Sequence, residues 1–212
     1  MATIDIKKMH LYNNQVKMNT KTLFSSASDA KIQTKKRPQV SLILGASKSG
    51  KSSYAQDYAL GFGIKSSHRA IVTTSKDRID EVTQKCNSLN STNNEKFTII
   101  EDSTNLDNTL KTLPSSVQIV LIDNILEWIS KLIKENEDIE EKEQLLLDIL
   151  ANPKQDIVII SNMVGLTLPP IDEKEKQLLE VSGILNQKIA KLSDNVILLV
   201  AGLPLKIKGD LL

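Results

Sequence analysis

The sequence predicts an α/β protein whose mostly parallel β-sheet is covered by helices on both faces. Short apolar runs rich in Val, Ile and Leu recur along the chain, as in strands that are buried on both sides. Amphipathic helical patterns separate these runs, which is typical of βαβ units. A lysine loop punctuated by glycine, GASKSGKS at residues 45–52, follows the first run and precedes the first helix. Together these three observations favour a P-loop NTPase-like fold.

The predicted elements alternate along the chain. Strands are predicted at 40–44, 69–74, 97–100, 117–122, 156–161 and 195–201, with an edge extension at 205–208. Helices are predicted at 52–60, 79–89, 125–133 and 173–192, and an acidic stretch at 135–143 is predicted to be the solvated start of a helix that runs to 150. Gly61 and Gly63 are expected to end the first helix. Trp128 falls on an apolar stripe, which predicts a core position.

Composition limits the function classes that are open. The 212 residues suffice for one sizeable α/β core. The 27 Lys and Arg nearly balance the 26 Asp and Glu, so no net field attracts nucleic acid or an anionic membrane. The one cysteine, Cys86, cannot form an intrachain disulfide and is expected to be inert. With no membrane span and no secretory signal visible, we expect a cytoplasmic protein.

Residues 1–38 differ in composition from the rest of the chain. They are rich in Asn, Ser, Thr and Lys, and their only acidic residues are Asp5 and Asp29, so the segment carries a net positive charge. They hold too few apolar residues for a core of their own, which favours a polar, basic N-terminal extension that ends at Pro38. A targeting peptide is the weaker interpretation, because arginine is nearly absent and no apolar face repeats. Residues 39–212 are then the P-loop nucleotide-binding domain.

The loop that follows the first strand carries the chemistry. Gly45, Gly50, Lys51 and Ser52 occupy every fixed position of the pattern G-x-x-x-x-G-K-[ST]. Glycine lets successive backbone N–H groups curl around an anion, and the helix N-terminus that follows favours phosphate. Lys51 is predicted to reach the β- and γ-phosphates of ATP or GTP, and the Ser52 hydroxyl to ligate Mg²⁺. The predicted nucleotide-binding residues are Gly45, Ala46, Ser47, Lys48, Ser49, Gly50, Lys51, Ser52 and Ser53.

A second group near the metal is predicted at Asp123. This aspartate directly follows the strongest apolar run, IVLI, and the carboxyl end of a central parallel strand lies on the ligand side of such sheets. We therefore predict that Asp123 helps to hold Mg²⁺ and acts in catalysis with Lys51. The alternative is that Asp123 is the N-cap of the helix that begins at Ile125. His68 is expected to be a surface residue in a loop.

Several stretches beyond this loop resemble one family, the bifunctional adenosylcobinamide kinase / adenosylcobinamide-phosphate guanylyltransferase of cobalamin biosynthesis. LILGASKSGKSSYA is similar to the family's GGARSGKS loop, and IVLIDNILEWISKLI is similar to VLVDCLTLWLSNLL. IVIISNMVGLTLPP resembles VLVSNEVGxGIVP, and GILNQKIAKLSDNVILLVAGLPLKIK resembles GRLNQ…A…ADEVYLVVAGLPLRLK. AIVTT and FTIIED are similar to YIATA and to the W-x-T-x-E segment. The resemblance covers about residues 40–208.

The resemblance implies an enzyme with two steps. In the kinase step a nucleoside triphosphate phosphorylates the aminopropanol hydroxyl of adenosylcobinamide. In the second step GMP is transferred from GTP to that phosphate through a guanylylated histidine. A corrinoid small molecule as substrate and a homotrimer with active sites near the subunit boundaries are also implied.

This chain departs from the family motifs at polar and charged positions. The guanylylated histidine belongs to an E-M-x-x-R-I-x-x-H pattern, where this chain has Leu89, and no histidine occurs after His68. Because leucine has no nucleophilic atom, we expect the guanylyltransferase step to be lost. The other departures are Met163 for the acid of N-E-V-G, Ile184 for the arginine of G-R-L-N-Q, Lys48 for the loop arginine and Phe97 for the tryptophan.

Two functions are compatible with these departures. The first is a kinase that retains the phosphoryl transfer step. The second is a nucleotide-binding pseudoenzyme or interaction subunit of the same fold, because the losses are polar groups while the apolar scaffold stays.

Overall fold

The computed structural model describes residues 37–62, 68–74, 79–80, 83, 97–101, 104–163 and 172–209. Several predictions lie outside these residues: the N-terminal extension apart from its last two residues, Gly63, most of the helix at 79–89, Cys86 and Leu89. The division of the chain into an extension and a domain therefore stays a prediction.

The described strands and helices alternate as the sequence predicts. The strands are β1 (Val40–Gly45), β2 (Arg69–Thr73), β3 (Thr98–Glu101), β4 (Ile119–Asp123), β5 (Asp156–Asn162), β6 (Asn195–Val200) and β7 (Leu203–Lys208). The helices are α1 (Lys51–Leu60), α2 (Leu106–Thr112), α3 (Ile125–Glu135), α4 (Ile139–Ala151) and α5 (Glu173–Leu192). No helix among the described residues is long and apolar enough to cross a membrane.

The strands form one seven-stranded sheet in the order β3-β2-β4-β5-β1-β6-β7. Every neighbouring pair is parallel except β6 and β7, which form an antiparallel edge. Strand β5 lies between β1 and β4, with Asn162 beside Gly45 and Ile160 beside Asp123. The carboxyl ends of these three central strands therefore meet at one edge of the sheet, where ligands bind in such folds.

Helices cover both faces of the sheet, because alternate strand residues point to opposite sides. On one face α2, α3, α4 and α5 bury apolar residues against the sheet, and Trp128 lies in this core with its indole N–H donating to the Thr104 carbonyl at 3.3 Å. On the other face α1 packs Ala55 and Ala59 against the strands. The predicted α/β, P-loop NTPase-like architecture with a mostly parallel sheet is thus confirmed.

Two local predictions differ from the structure. The sequence analysis did not predict α2, although Leu106 and Leu110 have helical spacing and are both buried. The acidic stretch 135–143 is not one solvated helix start: α3 ends at Glu135 and α4 begins after the N-cap Asp138. The side chain of Glu143 is only 7% exposed, and its carboxylate lies 2.7 Å from Lys188 Nζ on α5. Glu143 is therefore a buried link between two helices.

Candidate functional site

The loop between β1 and α1 needs glycine at two positions. Gly50, the N-cap of α1, has φ 91°, a backbone conformation that side chains with a Cβ rarely adopt. A Cβ on Gly45 would lie 3.0 Å from the Leu199 carbonyl oxygen and closer still to Ser49 Oγ. The two glycines of the predicted pattern therefore permit the turn into the helix and the close packing against β6.

Hydrogen bonds hold this loop in its curled shape. The Ser49 amide and Lys51 Nζ both donate to the Ala46 carbonyl, at 3.2 and 3.1 Å. The Gly202 amide, in the turn between β6 and β7, donates to the Ser49 carbonyl at 3.0 Å. Lys51 is only 8% exposed, so its ammonium group is held inside the loop rather than in solvent. The β6–β7 turn thus supports the loop through this hydrogen bond.

A cleft of about 420 Å³ opens beside the loop. Its described lining is polar and contains both loop lysines: Ser47, Lys48, Ser49, Gly50, Lys51, Ser52, Ser53, Asn124, Glu127 and Asn162. Seven of the nine predicted nucleotide-binding residues therefore line one cavity. Gly45 and Ala46 do not appear in the lining and instead shape the base of the loop.

Asp123 occupies the end of β4 but does not line the cleft. It is 1% exposed and lies two strands away from Gly45, with β5 between them. The alternative role as a helix cap is wrong, because Asn124 is the N-cap of α3 and its side chain accepts from the Leu126 amide at 2.8 Å. The prediction that Asp123 helps to hold Mg²⁺ stays a prediction.

The oxygen groups at this edge have the chemistry that Mg²⁺ requires. The ion usually keeps several waters and takes one or two carboxylates together with substrate phosphates. Ser52 and Glu127 line the cleft, and Asp123 is the last residue of β4, next to the lining residue Asn124. The described residues therefore fit a phosphate-bound magnesium ion.

The sequence analysis missed the wall of the cleft that faces the loop. Asn124, Glu127 and Asn162 form this wall. Asn124 and Glu127 follow the predicted strand end at Asp123 directly, and Asn162 belongs to the SNMVG stretch, so a signal was present. The missing information was the strand order, which places the end of β5 next to β1 and the end of β4 next to β5.

Buried polar atoms without a hydrogen-bond partner cluster near this wall. They are Ser49 Oγ, Ser161 Oγ, Asn162 Oδ1 and Asn186 Oδ1. The Asn186 amide nitrogen donates to the Asn162 backbone carbonyl at 3.1 Å, which fixes the end of β5. Each unsatisfied buried group costs about 1–3 kcal/mol, so such atoms concentrate where a ligand completes the bonding. Two of these atoms, Ser49 Oγ and Asn162 Oδ1, belong to residues that line the cleft, which supports a binding site there.

The structure also locates His68 and two of the departures from the family motifs, Met163 and Ile184. Met163 follows Asn162 and is half-buried, and its amide donates to the Gly45 carbonyl at 3.1 Å. Ile184 is 44% exposed on α5. His68 directly precedes β2 and is partly buried rather than exposed in a loop. This places its backbone at the amino end of a five-residue strand, about 16 Å from the edge that carries the cleft.

Comparison with known proteins decides the family. The sequence model of the cobinamide kinase / cobinamide phosphate guanyltransferase family matches residues 41–207. The chain belongs to this family. The bifunctional adenosylcobalamin biosynthesis protein CobP of Pseudomonas aeruginosa is 27% identical over 171 residues, which are 80% of this chain and 97% of that protein. The resemblance seen in the sequence motifs is thus confirmed.

A solved structure supports the fold independently. The flagellar accessory protein FlaH of Methanocaldococcus jannaschii superposes with a TM-score of 0.51 at 16% identity. The match covers 82% of this chain and 80% of that protein. At this identity the likeness bears on the fold alone.

Proposed function

We propose that this protein is a corrinoid kinase of cobalamin biosynthesis or salvage. It transfers the γ-phosphate of ATP or GTP to the aminopropanol hydroxyl of an adenosylcobinamide-like substrate. The observation that carries this proposal is the polar cleft in which the phosphate-binding loop, Lys51 and Ser52 converge, in a chain that belongs to the cobinamide kinase family.

The loop residues have distinct roles in this proposal. Backbone N–H groups of residues 46–52 and the N-terminus of α1 bind the phosphates. Lys51 stabilises the charge that develops as the γ-phosphoryl group is transferred. Ser52 and Asp123 would hold Mg²⁺, which would neutralise part of the phosphate charge. The chain's contribution is thus chiefly positioning and electrostatic stabilisation.

We also propose that the guanylyltransferase step is lost. That step needs a histidine nucleophile, and the chain's two histidines are His10 and His68. His10 belongs to the predicted extension, and His68 precedes β2 at the far edge of the sheet from the cleft. With Leu89 at the position of the family's nucleophile, no side chain at that place can form a phosphoramidate.

The second candidate is a nucleotide-binding pseudoenzyme or interaction subunit. It is supported by two positions at which apolar residues replace charged residues of the family motifs. Met163 stands beside the cleft wall where the family motif has glutamate, and Ile184 exposes an apolar side chain where that motif has arginine. This candidate predicts nucleotide binding without transfer of phosphate to a corrinoid. We also propose that the chain forms a homotrimer. Light scattering tests this, because a trimer has three times the 23.5 kDa mass of the chain.

The test is transfer of label from γ-³²P-ATP or γ-³²P-GTP to adenosylcobinamide by the purified full chain. The kinase proposal predicts label in the corrinoid fraction, which depends on Mg²⁺ and disappears in the Lys51→Ala variant. Nucleotide binding without labelled corrinoid from either nucleotide would support the pseudoenzyme. Label transfer that is unchanged in Lys51→Ala would show that this loop is not the site.

A further inference from the structure

Glu127 is the acidic side chain in the described lining of the nucleotide cleft. It lies in the first turn of α3, and it lines the same cavity as Lys51 and Ser52. Its Oε2 atom is inaccessible to solvent. Asp123, the acid predicted from the sequence, is buried at the strand end and does not reach the cavity lining. The carboxylate in the described lining of this cleft therefore comes from the helix, not from the strand.

Helix capping does not account for this placement. Glu127 is the third residue after the N-cap Asn124, where a glutamate often bonds back to the N-cap amide. Here that amide donates to Thr74 Oγ1 at 3.4 Å, and the Asn124 side chain accepts from the Leu126 amide. Attraction to the helix dipole gives an acid in the first turn about 0.3–1 kcal/mol when it is exposed. A glutamate exposed to solvent would gain the same stabilisation from the helix dipole, so this attraction does not explain why Glu127 lines the cleft.

Glu127 is a departure of this chain from the family motif. In VLVDCLTLWLSNLL the residue aligned with Glu127 is leucine, whereas N-E-V-G has glutamate where this chain has Met163. Strands β4 and β5 are parallel neighbours, and α3 begins directly after β4. Position 163 follows Asn162, which lines the same cleft wall as Glu127. Relative to the family motifs, this chain has thus lost an acidic residue after β5, at Met163, and gained one after β4, at Glu127.

We propose that Glu127 is the general base of phosphoryl transfer and that it replaces the acid lost at Met163. This inference rests on the kinase function proposed above. The acceptor hydroxyl oxygen forms a bond to the γ-phosphorus while the bond from that phosphorus to the β–γ bridging oxygen breaks. The hydroxyl proton goes to the Glu127 carboxylate, and the nucleoside diphosphate leaves with the electron pair. Asp123 then acts on the metal side alone.

The test uses three variants of the full chain: Glu127→Gln, Glu127→Leu, and Glu127→Leu combined with Met163→Glu. Glu127→Gln keeps the size and the hydrogen-bonding capacity of the side chain but removes the base. We expect it to lower kcat for phosphate transfer to adenosylcobinamide by about 10²–10⁴-fold. The Kd of ATP and the half-saturating Mg²⁺ concentration should stay at their wild-type values, because the base acts on the acceptor.

The double variant tests the exchange of positions. Adding Met163→Glu to Glu127→Leu should recover at least about tenfold of the lost kcat, since one well-placed base contributes 10²-fold or more. Thermal denaturation and the ATP Kd of each variant show that it is folded, and Glu127→Gln carries the test where Glu127→Leu does not fold.

Each contrary result has a distinct meaning. Wild-type kcat in Glu127→Gln overturns the general base while the kinase proposal stands. A raised Mg²⁺ requirement in Glu127→Gln overturns it in favour of a metal ligand. Failure of Met163→Glu to restore kcat in Glu127→Leu overturns the exchange of positions. A wild-type protein that transfers no phosphate overturns the kinase proposal and, with it, this inference.

Discussion

Replacing Lys51 by alanine should weaken nucleotide binding far more than replacing the other lysine of the loop. Lys51 is 8% exposed and its Nζ is fixed at 3.1 Å from the Ala46 carbonyl, so the ammonium group reaches a phosphate already oriented and largely desolvated. A hydrogen bond to a charged group contributes about 1.5–3 kcal/mol, which corresponds to about 10–150-fold in Kd. We expect a loss in this range for both ATP and GTP.

Lys48 offers the matched control, because it belongs to the same loop, lines the same cleft and carries the same charge. Its side chain is exposed, and an exposed ion pair contributes about 0–1 kcal/mol, so Lys48→Ala should weaken binding by less than about fivefold. Isothermal titration calorimetry with Mg²⁺ present measures both Kd values, and thermal denaturation checks that both variants are folded. Equal losses in the two variants, or an unchanged Kd in Lys51→Ala, would refute the argument from burial.

Three further predictions concern stability. Trp128→Ala should lower the free energy of unfolding by about 3–5 kcal/mol in urea titrations, because the side chain is fully buried, and Trp128→Phe should cost clearly less. Lys188→Met should destabilise the protein more than Glu143→Gln. Lys188→Met leaves the 7% exposed Glu143 carboxylate without its cation, whereas Glu143→Gln leaves the 45% exposed Lys188 ammonium group, which water can solvate. Equal losses of unfolding free energy in the two variants would contradict this reasoning. Burial, and then the charge of Asp194, raise the pKa of Asp156. Its ionised form is therefore disfavoured in the folded state, so Asp156→Asn should be more stable than wild type at pH 7. This advantage should shrink in denaturation experiments as the pH falls and the carboxyl group of the wild type becomes protonated. An advantage that grows at low pH would show the opposite sign.

Local patterns predicted most of the fold. The helix predicted at 173–192 has those bounds in the structure, because Asp172 caps it and its apolar stripe continues to Ile189. The helix α2 escaped prediction because it spans only seven residues and offers two buried leucines as a pattern. Glu143 looked solvated within an acidic run, and its partner Lys188 lies 45 residues away. Contacts of that range depend on helix packing, which a linear pattern does not contain.

The candidate site could also be predicted only in part. The loop from Gly45 to Ser53 could be predicted, since its glycines, lysine and hydroxyls stand together in the sequence. The opposite wall could not, because Glu127 and Asn162 reach the cleft only through a strand order that inserts β5 between β1 and β4. Asp123 was correctly placed at a strand end, but it is buried and does not belong to the cavity lining.

The most direct test of the central claim is the mass of the corrinoid formed when GTP is the sole nucleotide. The purified full chain is incubated with adenosylcobinamide, GTP and Mg²⁺, and the corrinoid products are resolved by mass spectrometry. We predict adenosylcobinamide phosphate as the end product, because the cleft beside the phosphate-binding loop is present and Leu89 stands at the position of the family's histidine. Accumulation of the guanylylated corrinoid, adenosyl-GDP-cobinamide, would contradict the loss of the second step, and unmodified adenosylcobinamide would contradict the kinase itself.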